Sequence, residues 1–255
     1  MKYDWSWSVF LDLSSDGVHS YLYNLGLGVL WTLGLTGATA AGALVFGSIL
    51  GVFRTTRAPV LNAIGATYVE IFRNIPLLVQ MFLWYFVLPE VLPKAIGQAI
   101  KGMPAPWNAF VPALLCLTFY GSARIGEQMR SGIQSLPRGQ LQAALALGLT
   151  PVMAYRHVVL PEAFRLMIPP LTSEFMAIVK YSSVAMTIGL LELTGQARAM
   201  QEASFHIFEA FSAATVGYLV INGCIVLAMR WLERRLAVPG LIGAAASSPA
   251  RVAQS

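Results

Sequence analysis

The chain has 255 residues, of which 56% are hydrophobic and only 11% are charged, and its mean hydropathy is +0.64. A soluble domain carries about 25% charged residues, so this composition excludes an ordinary soluble globule and indicates a membrane protein. The net charge of +5 does not indicate nucleic-acid binding, because the basic residues are spread along the chain and form no single polar face.

Five apolar segments are long enough to be membrane-spanning helices, which need about 20 residues. The predicted spans are Leu25–Phe53, Ile75–Leu92, Ala109–Ile133, Phe164–Leu191 and Phe211–Leu232. The predicted fold class is therefore all-α, a polytopic membrane protein with five transmembrane helices. The first span is rich in glycine, which predicts close packing in a helix bundle, because small residues let helix backbones approach each other in lipid. Its glycines are Gly26, Gly28, Gly34, Gly37, Gly42, Gly47 and Gly51.

An amphipathic segment, PVLNAIGATYVEIFRN at residues 59–74, separates the first two spans. It is stopped by Asn74 and Pro76, since a proline cannot continue the hydrogen-bonded helix. We expect this segment to lie along the cytoplasmic surface of the membrane.

The segment Gln142–Pro161 lies between two predicted spans but cannot itself cross a bilayer. Gly148 is a helix stop, Thr150 can cap a new helix, and Pro151 fits a first helical turn, where a missing N–H is tolerated. These residues predict two short helices joined by a tight turn, each too short to span the membrane. We interpret the hairpin as a docking element for a soluble partner. A simple interfacial loop helix is the alternative.

The placement of lysine and arginine predicts the orientation, because cytoplasmic loops carry an excess of both. Eleven of these residues fall on one side and four on the other, with Arg124 and Lys180 inside spans. The richer side is predicted to be cytoplasmic, which puts the N-terminus in the periplasm and the hairpin and C-terminus in the cytoplasm. The eleven are Arg54, Arg57, Arg73, Arg130, Arg138, Arg156, Arg165, Arg230, Arg234, Arg235 and Arg251. The four are Lys2, Lys94, Lys101 and Arg198.

The predicted domain organisation has three parts. Residues 1–24 form a periplasmic N-terminal segment, and residues 25–236 form the transmembrane domain with the cytoplasmic hairpin at residues 138–163. The tail at residues 237–255 is small, polar and irregular, and we expect a disordered cytoplasmic segment there.

The hairpin sequence, QAALALGLTPVMAYRHVVLP, resembles the EAA loop of ABC-importer permeases. That loop has Glu-Ala-Ala, a glycine four residues past the second alanine, and a closing hydrophobic-x-Leu-Pro. The matching positions are Ala143, Ala144, Gly148, Val158, Leu160 and Pro161. Gln142 stands where the family usually has glutamate, so it can form hydrogen bonds but carries no charge. The residues that the resemblance assigns to ATPase coupling are Gln142, Ala143, Ala144, Gly148, Thr150, Pro151 and Pro161.

Three further segments extend the resemblance over about residues 25–236. They are FRNIPLLVQMFLWYFVLP at Phe72–Pro89, SGIQSLPRGQ at residues 131–140 and KYSSVAMTIGLLELT at residues 180–194. Together they resemble the polar amino-acid permeases of type I ABC importers and, within that family, the glutamate/aspartate permeases. The resemblance implies the five-helix type I ABC-importer (MetI-like) permease core.

The same resemblance implies a set of partners and a location. The partners are two copies of an ABC ATPase, a second homologous permease, a periplasmic amino-acid-binding protein, membrane lipid and an amino-acid cargo, with no nucleic acid. The sequence has no G-x-x-x-x-G-K-[ST] phosphate loop, so we expect no cofactor in this chain, and ATP and Mg in the ATPase. The expected location is the bacterial inner membrane, crossed several times.

Arg124 and Lys180 are the candidates for cargo contact, because ionisable residues inside spans are costly and often mark a transport path. A guanidinium can hold a carboxylate through two parallel hydrogen bonds, as an acidic cargo requires. The alternative is that Arg124 and Glu127 share one helix face and neutralise each other. Lys180 matches the family pattern and could instead support helix structure.

Five neighbouring residues complete the predicted substrate-binding set. Tyr181 replaces an aspartate found in many relatives, and removing that negative charge favours an anionic cargo. The hydroxyls of Ser182, Ser183 and Thr187 could bind cargo or could bond only their own helix backbone. Glu192 could receive the cargo's ammonium group or could be a solvated helix terminus. No catalytic or metal-binding residue is predicted.

Two other classes of function are weaker alternatives. An intramembrane enzyme needs convergent nucleophile, base or metal ligands, and no such constellation is evident in the spans. An ion-coupled carrier that works alone often has inverted repeats, whereas five spans with one large hairpin do not divide into such halves. A permease for a different polar amino acid is the closer alternative.

Overall fold

The computed structural model describes Tyr3, residues 5–56 and residues 58–236. This part of the chain folds into helices, which we label in chain order. They are α1 (Tyr21–Phe53), α2 (Pro59–Asn74), α3 (Leu77–Val91), α4 (Lys94–Lys101), α5 (Trp107–Ser135), α6 (Arg138–Ala146), α7 (Pro151–Ile188), α8 (Leu193–Ser204) and α9 (Ile207–Leu236). A short 3-10 helix, Trp7–Leu11, precedes them. The tail at residues 237–255, expected to be disordered, lies outside the described residues.

Three helices, α1, α5 and α9, are each long and apolar enough to cross a membrane. The bent pairs α2–α3 and α7–α8 raise the number of spans to as many as 5 if each pair counts as one. The predicted count of five agrees with this upper figure. Helix α1 begins at Tyr21 rather than at Leu25, because Ser20 caps it by accepting a hydrogen bond from the Tyr23 N–H.

The second helix of the hairpin is not short, so that part of the prediction is wrong. Its first turn, Pro151–Ala154, continues through a π-helical turn, Tyr155–Val159, into the long segment Leu160–Ser182. Pro161 has no N–H and would crowd the carbonyl of an ordinary preceding turn. The wider π turn accommodates the proline, so the helix continues where the sequence pattern suggests a break.

Helix α3 contains the same arrangement. A π-helical turn, Leu83–Val87, directly precedes Leu88 and Pro89. Each π turn ends at the valine of a Val-Leu-Pro-Glu sequence, residues 87–90 and 159–162, and the next α-helical segment begins at the leucine. The repeated tetrapeptide therefore accompanies the same helix irregularity in two places.

The 102° bend between α2 and α3 is held by one buried side chain. Pro76 lacks the N–H that would otherwise bond the carbonyl of Phe72 in the last turn of α2. Gln80, 3% exposed, replaces it by donating from Nε2 to the carbonyls of Phe72 and Ile75, both at 2.8 Å. The FRNIPLLVQ segment thus contains both the proline that ends α2 and the glutamine that satisfies its free carbonyls.

Helices α1 and α5 share the most extensive helix–helix contact in the described chain. Gly42, Gly47 and Gly51 lie in this contact, and a Cβ added at Gly47 would come within 2.8 Å of Ile125. The prediction of close packing is confirmed for this face of α1. The glycines of α1 at which an added Cβ would meet nothing within 4 Å are Gly26, Gly34 and Gly37.

We expect Gly47→Ala to destabilise the protein by about 1–3 kcal/mol, because the added methyl group overpacks the contact with α5. The measurement is the thermal unfolding midpoint of the detergent-purified protein. Gly37→Ala, on the same helix but facing open space, is the matched control and should not lower the midpoint. Equal midpoints for the two variants would show that the α1–α5 contact can relax around a methyl group.

The hairpin end of the bundle has its own apolar core and many arginines. Ile133 of α5, Leu136 just after its end, Val159 and Ala163 of α7 and Met229 of α9 pack together there. The hairpin thus lies at the end of the bundle where α1, α5 and α9 finish. The described arginines at these helix ends are Arg54, Arg130, Arg234 and Arg235.

The N-terminal segment packs at the opposite end of the bundle. Val9 is 2% exposed and belongs to a core that includes Leu193 of α8 and Ala210 of α9. The Ser6 N–H donates to Oε1 of the buried Glu209 at 2.8 Å. These contacts attach the N-terminal segment to α8 and α9.

Candidate transport and docking sites

Arg124 of α5 forms a two-point ion pair with Glu174 of α7. Its Nε lies 2.8 Å from Glu174 Oε2, and its Nη2 lies 2.9 Å from Oε1. The Glu174 side chain is 8% exposed and that of Arg124 is 33% exposed. The guanidinium Cζ lies 6.0 Å from the centre of the Tyr181 ring, against which Tyr120 packs edge-on at 5.4 Å. The bundle therefore contains a guanidinium that binds a carboxylate and is still partly accessible.

The proposed neutralisation of Arg124 by Glu127 is wrong. Glu127 instead pairs with Arg54, at the C-terminal end of α1, and with Arg130, whose Nε lies 2.9 Å from Glu127 Oε1. Arg130 is also three residues from Glu127, and α1 brings Arg54 across to the same carboxylate. Arg124 is directed towards α7, so its carboxylate partner comes from another helix.

Ser173 and Lys180 are both exposed on one face of α7, because their seven-residue spacing places them in line along the α-helix. Thr187 is also exposed, but it lies in the 3-10 helical segment Ser183–Ile188 that ends α7. An exposed lysine on a membrane-spanning helix is costly against lipid, so this face indicates contact with water or with another protein chain.

The three predicted hydroxyl contacts all bond their own helix in this structure. Ser182, Ser183 and Thr187 each donate to the carbonyl oxygen three residues earlier, at 2.6 to 2.7 Å. A hydroxyl that donates in this way can still accept a hydrogen bond. In this conformation the Ser183 and Thr187 hydroxyls can therefore receive the N–H of an ammonium group but offer no hydrogen to a carboxylate, whereas Ser182 is fully buried and reaches neither.

Glu192 is a helix terminus, but it is fully buried rather than solvated, so that alternative is wrong. Its carboxylate caps α8 by accepting the N–H groups of Thr194 at 3.0 Å and Gly195 at 2.9 Å. It also accepts the hydroxyl of Tyr218 at 2.7 Å. Burial follows because α1 and α9 cover the start of α8, and the side chain does not face an open path here.

The first helix of the hairpin ends as its sequence predicts. Gly148 has a φ of +86°, a left-handed conformation that L side chains rarely adopt. Its N–H bonds the carbonyl of Leu145 at 3.0 Å, and the Leu149 N–H bonds that of Ala144 at 3.2 Å. This pair of bonds is a Schellman motif, which satisfies the last carbonyls of α6 and turns the chain back.

The second helix of the hairpin also starts as predicted. Thr150 is the N-cap of α7, and its hydroxyl accepts the Met153 N–H at 3.3 Å. Pro151 occupies the first turn, where no N–H donor is needed. The predicted tight turn between two helices is therefore present.

The two faces of the hairpin differ. Ala144 is 4% exposed and faces the bundle, whereas the other predicted coupling residues are exposed. Four apolar side chains at the turn are also exposed, and we call them the apolar tip. They are Leu145, Leu147, Val152 and Met153, with Leu147 at 84% and Val152 at 76% exposed. The exposed coupling residues are Gln142, Ala143, Gly148, Thr150, Pro151 and Pro161.

A polar cavity of about 680 Å³ lies between the hairpin and the bundle. Arg54, Asn62 and Gln140 contribute to its lining, and the Tyr155 hydroxyl donates to the Thr55 carbonyl at 3.3 Å beside it. The hairpin is thus held to the bundle on its inner face while its apolar tip projects outward.

Glu174 was not among the predicted site residues. A signal for it exists in the sequence: it is an acid within an apolar span, and buried charges in membranes are usually paired. Arg124 is a cation in a neighbouring span, and it has no other ion-pair partner among the described residues. Sequence spacing does not give this pairing, because the two residues lie on different helices.

Long apolar helices, a charged pair inside the bundle and an exposed apolar hairpin are the features of a polytopic membrane protein with an exposed docking surface. Residues 43–238 match the family described as "Binding-protein-dependent transport system inner membrane component", and the chain belongs to this family. It is a non-catalytic permease subunit of an ABC importer in the inner membrane, and the family implies a separate ATPase and a binding protein as partners.

Several curated relatives are similar along nearly their whole length. The chain is 44% identical to the glutamate/aspartate import permease protein GltJ of Escherichia coli (strain K12), over 95% of this chain and 99% of the relative. It is 36% identical to the probable glutamine ABC transporter permease protein GlnM of Bacillus subtilis (strain 168), over 77% of this chain and 85% of the relative.

Solved structures show the same fold. A structure described as an amino acid ABC transporter with histidines matches with a TM-score of 0.70 and 30% identity, covering 84% of this chain and 95% of that chain. The inward-facing MetNI methionine ABC transporter matches with a TM-score of 0.71 and 21% identity, covering 89% of this chain and 100% of that chain. The type I ABC-importer permease fold that the resemblance implied is confirmed.

Proposed function

We propose that the chain is a permease subunit that imports glutamate and aspartate and that Arg124 contacts the side-chain carboxylate of the cargo. The observation that carries this proposal is the two-point hydrogen bonding of Arg124 to a carboxylate inside the bundle, with a third of the side chain still exposed. The 44% identity to a glutamate/aspartate import permease supports the same cargo class.

The exposed face of α7 supports a path shared with a second permease. Lys180 on this face adds positive charge, which favours an anionic cargo over a cationic one. A second homologous permease would cover this face and keep Lys180 away from lipid. Tyr181, Ser182, Ser183, Thr187 and Glu192 remain proposed contacts, reached if α7 and α8 rearrange during transport.

The apolar tip supports docking of the ATPase. Four exposed apolar side chains at the arginine-rich end of the bundle form a surface that requires a protein partner in water. Two ATPase copies, each holding ATP and Mg, would receive one hairpin from each of the two permeases. Under this proposal the hairpin lies in the cytoplasm and the N-terminal segment lies in the periplasm, where the binding protein delivers cargo.

The test is ATP-driven uptake into proteoliposomes that contain the permease assembly, with its binding protein supplied outside. We expect accumulation of labelled glutamate, with competition by unlabelled aspartate and weaker competition by glutamine and arginine. Preferred uptake of glutamine or arginine would contradict the cargo assignment and leave the permease class unchanged. Leaving ATP out of the vesicle lumen is the control for passive entry.

A further inference from the structure

Glu174 uses only one edge of the Arg124 guanidinium. A guanidinium has five N–H donors, arranged on two edges that can each hold a carboxylate. Glu174 accepts from Nε and Nη2, at 2.8 and 2.9 Å. The other edge, formed by Nη1 with the second hydrogen of Nη2, has no hydrogen-bond partner among the described residues. One carboxylate-binding edge of Arg124 is therefore available.

We propose that Glu174 is a positioning residue that holds Arg124 by one edge so that the other edge binds the side-chain carboxylate of an acidic cargo. The inference rests on the proposed function, because it takes Arg124 as the cargo contact. It assigns to Glu174 a role in cargo selection without direct contact with the cargo.

The surroundings of the pair fix the guanidinium plane. A lone arginine in a membrane bundle would extend towards water or towards backbone carbonyls, since its charge is costly in an apolar medium. Glu174, on the facing helix and almost fully buried, supplies a fixed counter-charge. The Tyr181 ring covers the guanidinium at 6.0 Å, and Tyr120 packs edge-on against that ring. The free edge is thereby held in one direction.

The geometry indicates that Glu174 positions Arg124 for the cargo and does not compete with the cargo for it. If Glu174 occupied both edges, an incoming carboxylate would have to displace it and leave an unpaired buried acid, which is strongly unfavourable. Because one edge is free, an acidic cargo can bind while the Arg124–Glu174 pair stays intact. If Glu174 and the cargo competed for Arg124, mutation of Glu174 would strengthen glutamate binding, whereas positioning predicts that it weakens glutamate binding. One binding experiment therefore distinguishes the two roles.

The experiment compares equilibrium binding of labelled glutamate and labelled glutamine to the purified permease assembly in nanodiscs, without ATP and without the binding protein. Glu174→Gln removes the charge and one of the two acceptor oxygens while keeping the side-chain shape. We expect it to weaken glutamate binding on the order of tenfold and to leave glutamine binding unchanged. Glu202→Gln, which breaks an exposed pair with Arg198 on α8, is the matched control and should change neither.

Glu174→Asp serves as a second variant in case Glu174→Gln does not fold. It keeps the negative charge but withdraws the carboxylate by one methylene. It should weaken glutamate binding selectively, by less than Glu174→Gln. Tighter glutamate binding by either variant would overturn the proposal in favour of competition, and equal losses for both ligands would reduce Glu174 to a structural role. Failure of the proposed function would be seen in the wild-type assembly alone, as tighter binding of glutamine than of glutamate.

Discussion

Gly148→Asp should abolish ATP-driven uptake while leaving the permease inserted and folded. The residue has a φ of +86°, so a side chain there is strained by about 1 kcal/mol, and the new carboxylate adds charge beside the apolar tip. An added Cβ meets nothing within 4 Å, so the interior of the permease is not disturbed. The measurements are co-purification of the ATPase with the variant and uptake of labelled glutamate into proteoliposomes.

Two variants separate the causes of this loss. Gly148→Asn should keep part of the activity, because asparagine tolerates the left-handed conformation and adds no charge. Gly139→Asp, on the exposed surface of α6 in the same hairpin, should retain ATPase binding, since its backbone is helical. Normal uptake by Gly148→Asp would contradict the docking role of the hairpin.

Arg124→Ala should reduce uptake of glutamate and aspartate by more than a hundredfold. It removes the only proposed two-point contact for the cargo carboxylate, and it leaves Glu174 buried without its counter-charge at a cost of about 3–5 kcal/mol. The measurement is initial uptake rate as a function of cargo, normalised to the amount of folded assembly found by size-exclusion chromatography.

Arg124→Lys separates cargo binding from folding. Lysine keeps the positive charge beside Glu174 but cannot present two parallel donors on each of two edges. We expect a folded assembly in which the preference for glutamate over glutamine falls about tenfold. A folded Arg124→Lys or Arg124→Ala variant with wild-type glutamate uptake would assign Arg124 to structure alone.

Local chemistry in the sequence predicted the hairpin turn well. A glycine that stops one helix, a threonine that caps the next and a proline in its first turn act within a few residues of each other, so no tertiary information is needed. The length of the second hairpin helix was not predictable in this way. Pro161 is ordinarily a reason to end a helix, but the π turn at Tyr155–Val159 accommodates it and α7 continues.

The ion pair between Arg124 and Glu174 could not be predicted from the sequence. Helix periodicity relates Arg124 to Glu127, which is close in sequence, but the folded bundle gives Arg124 to Glu174 and gives Glu127 to Arg54 and Arg130. Which helix faces which is decided by packing of the whole bundle. The burial of Glu192 could not be predicted for the same reason, because it depends on α1 and α9 lying over the start of α8.

The continuity of α7 has a mechanical consequence. Because the π turn keeps Pro151–Ile188 in one piece, the proposed ATPase contact at its start and Glu174 further along belong to a single rod. At about 1.5 Å per residue, the rod extends roughly 35 Å from Pro151 to Glu174. A tilt imposed on the rod by the motor would therefore shift Glu174 against Arg124, and the helix irregularities between the two points are the π turn and the prolines Pro169 and Pro170.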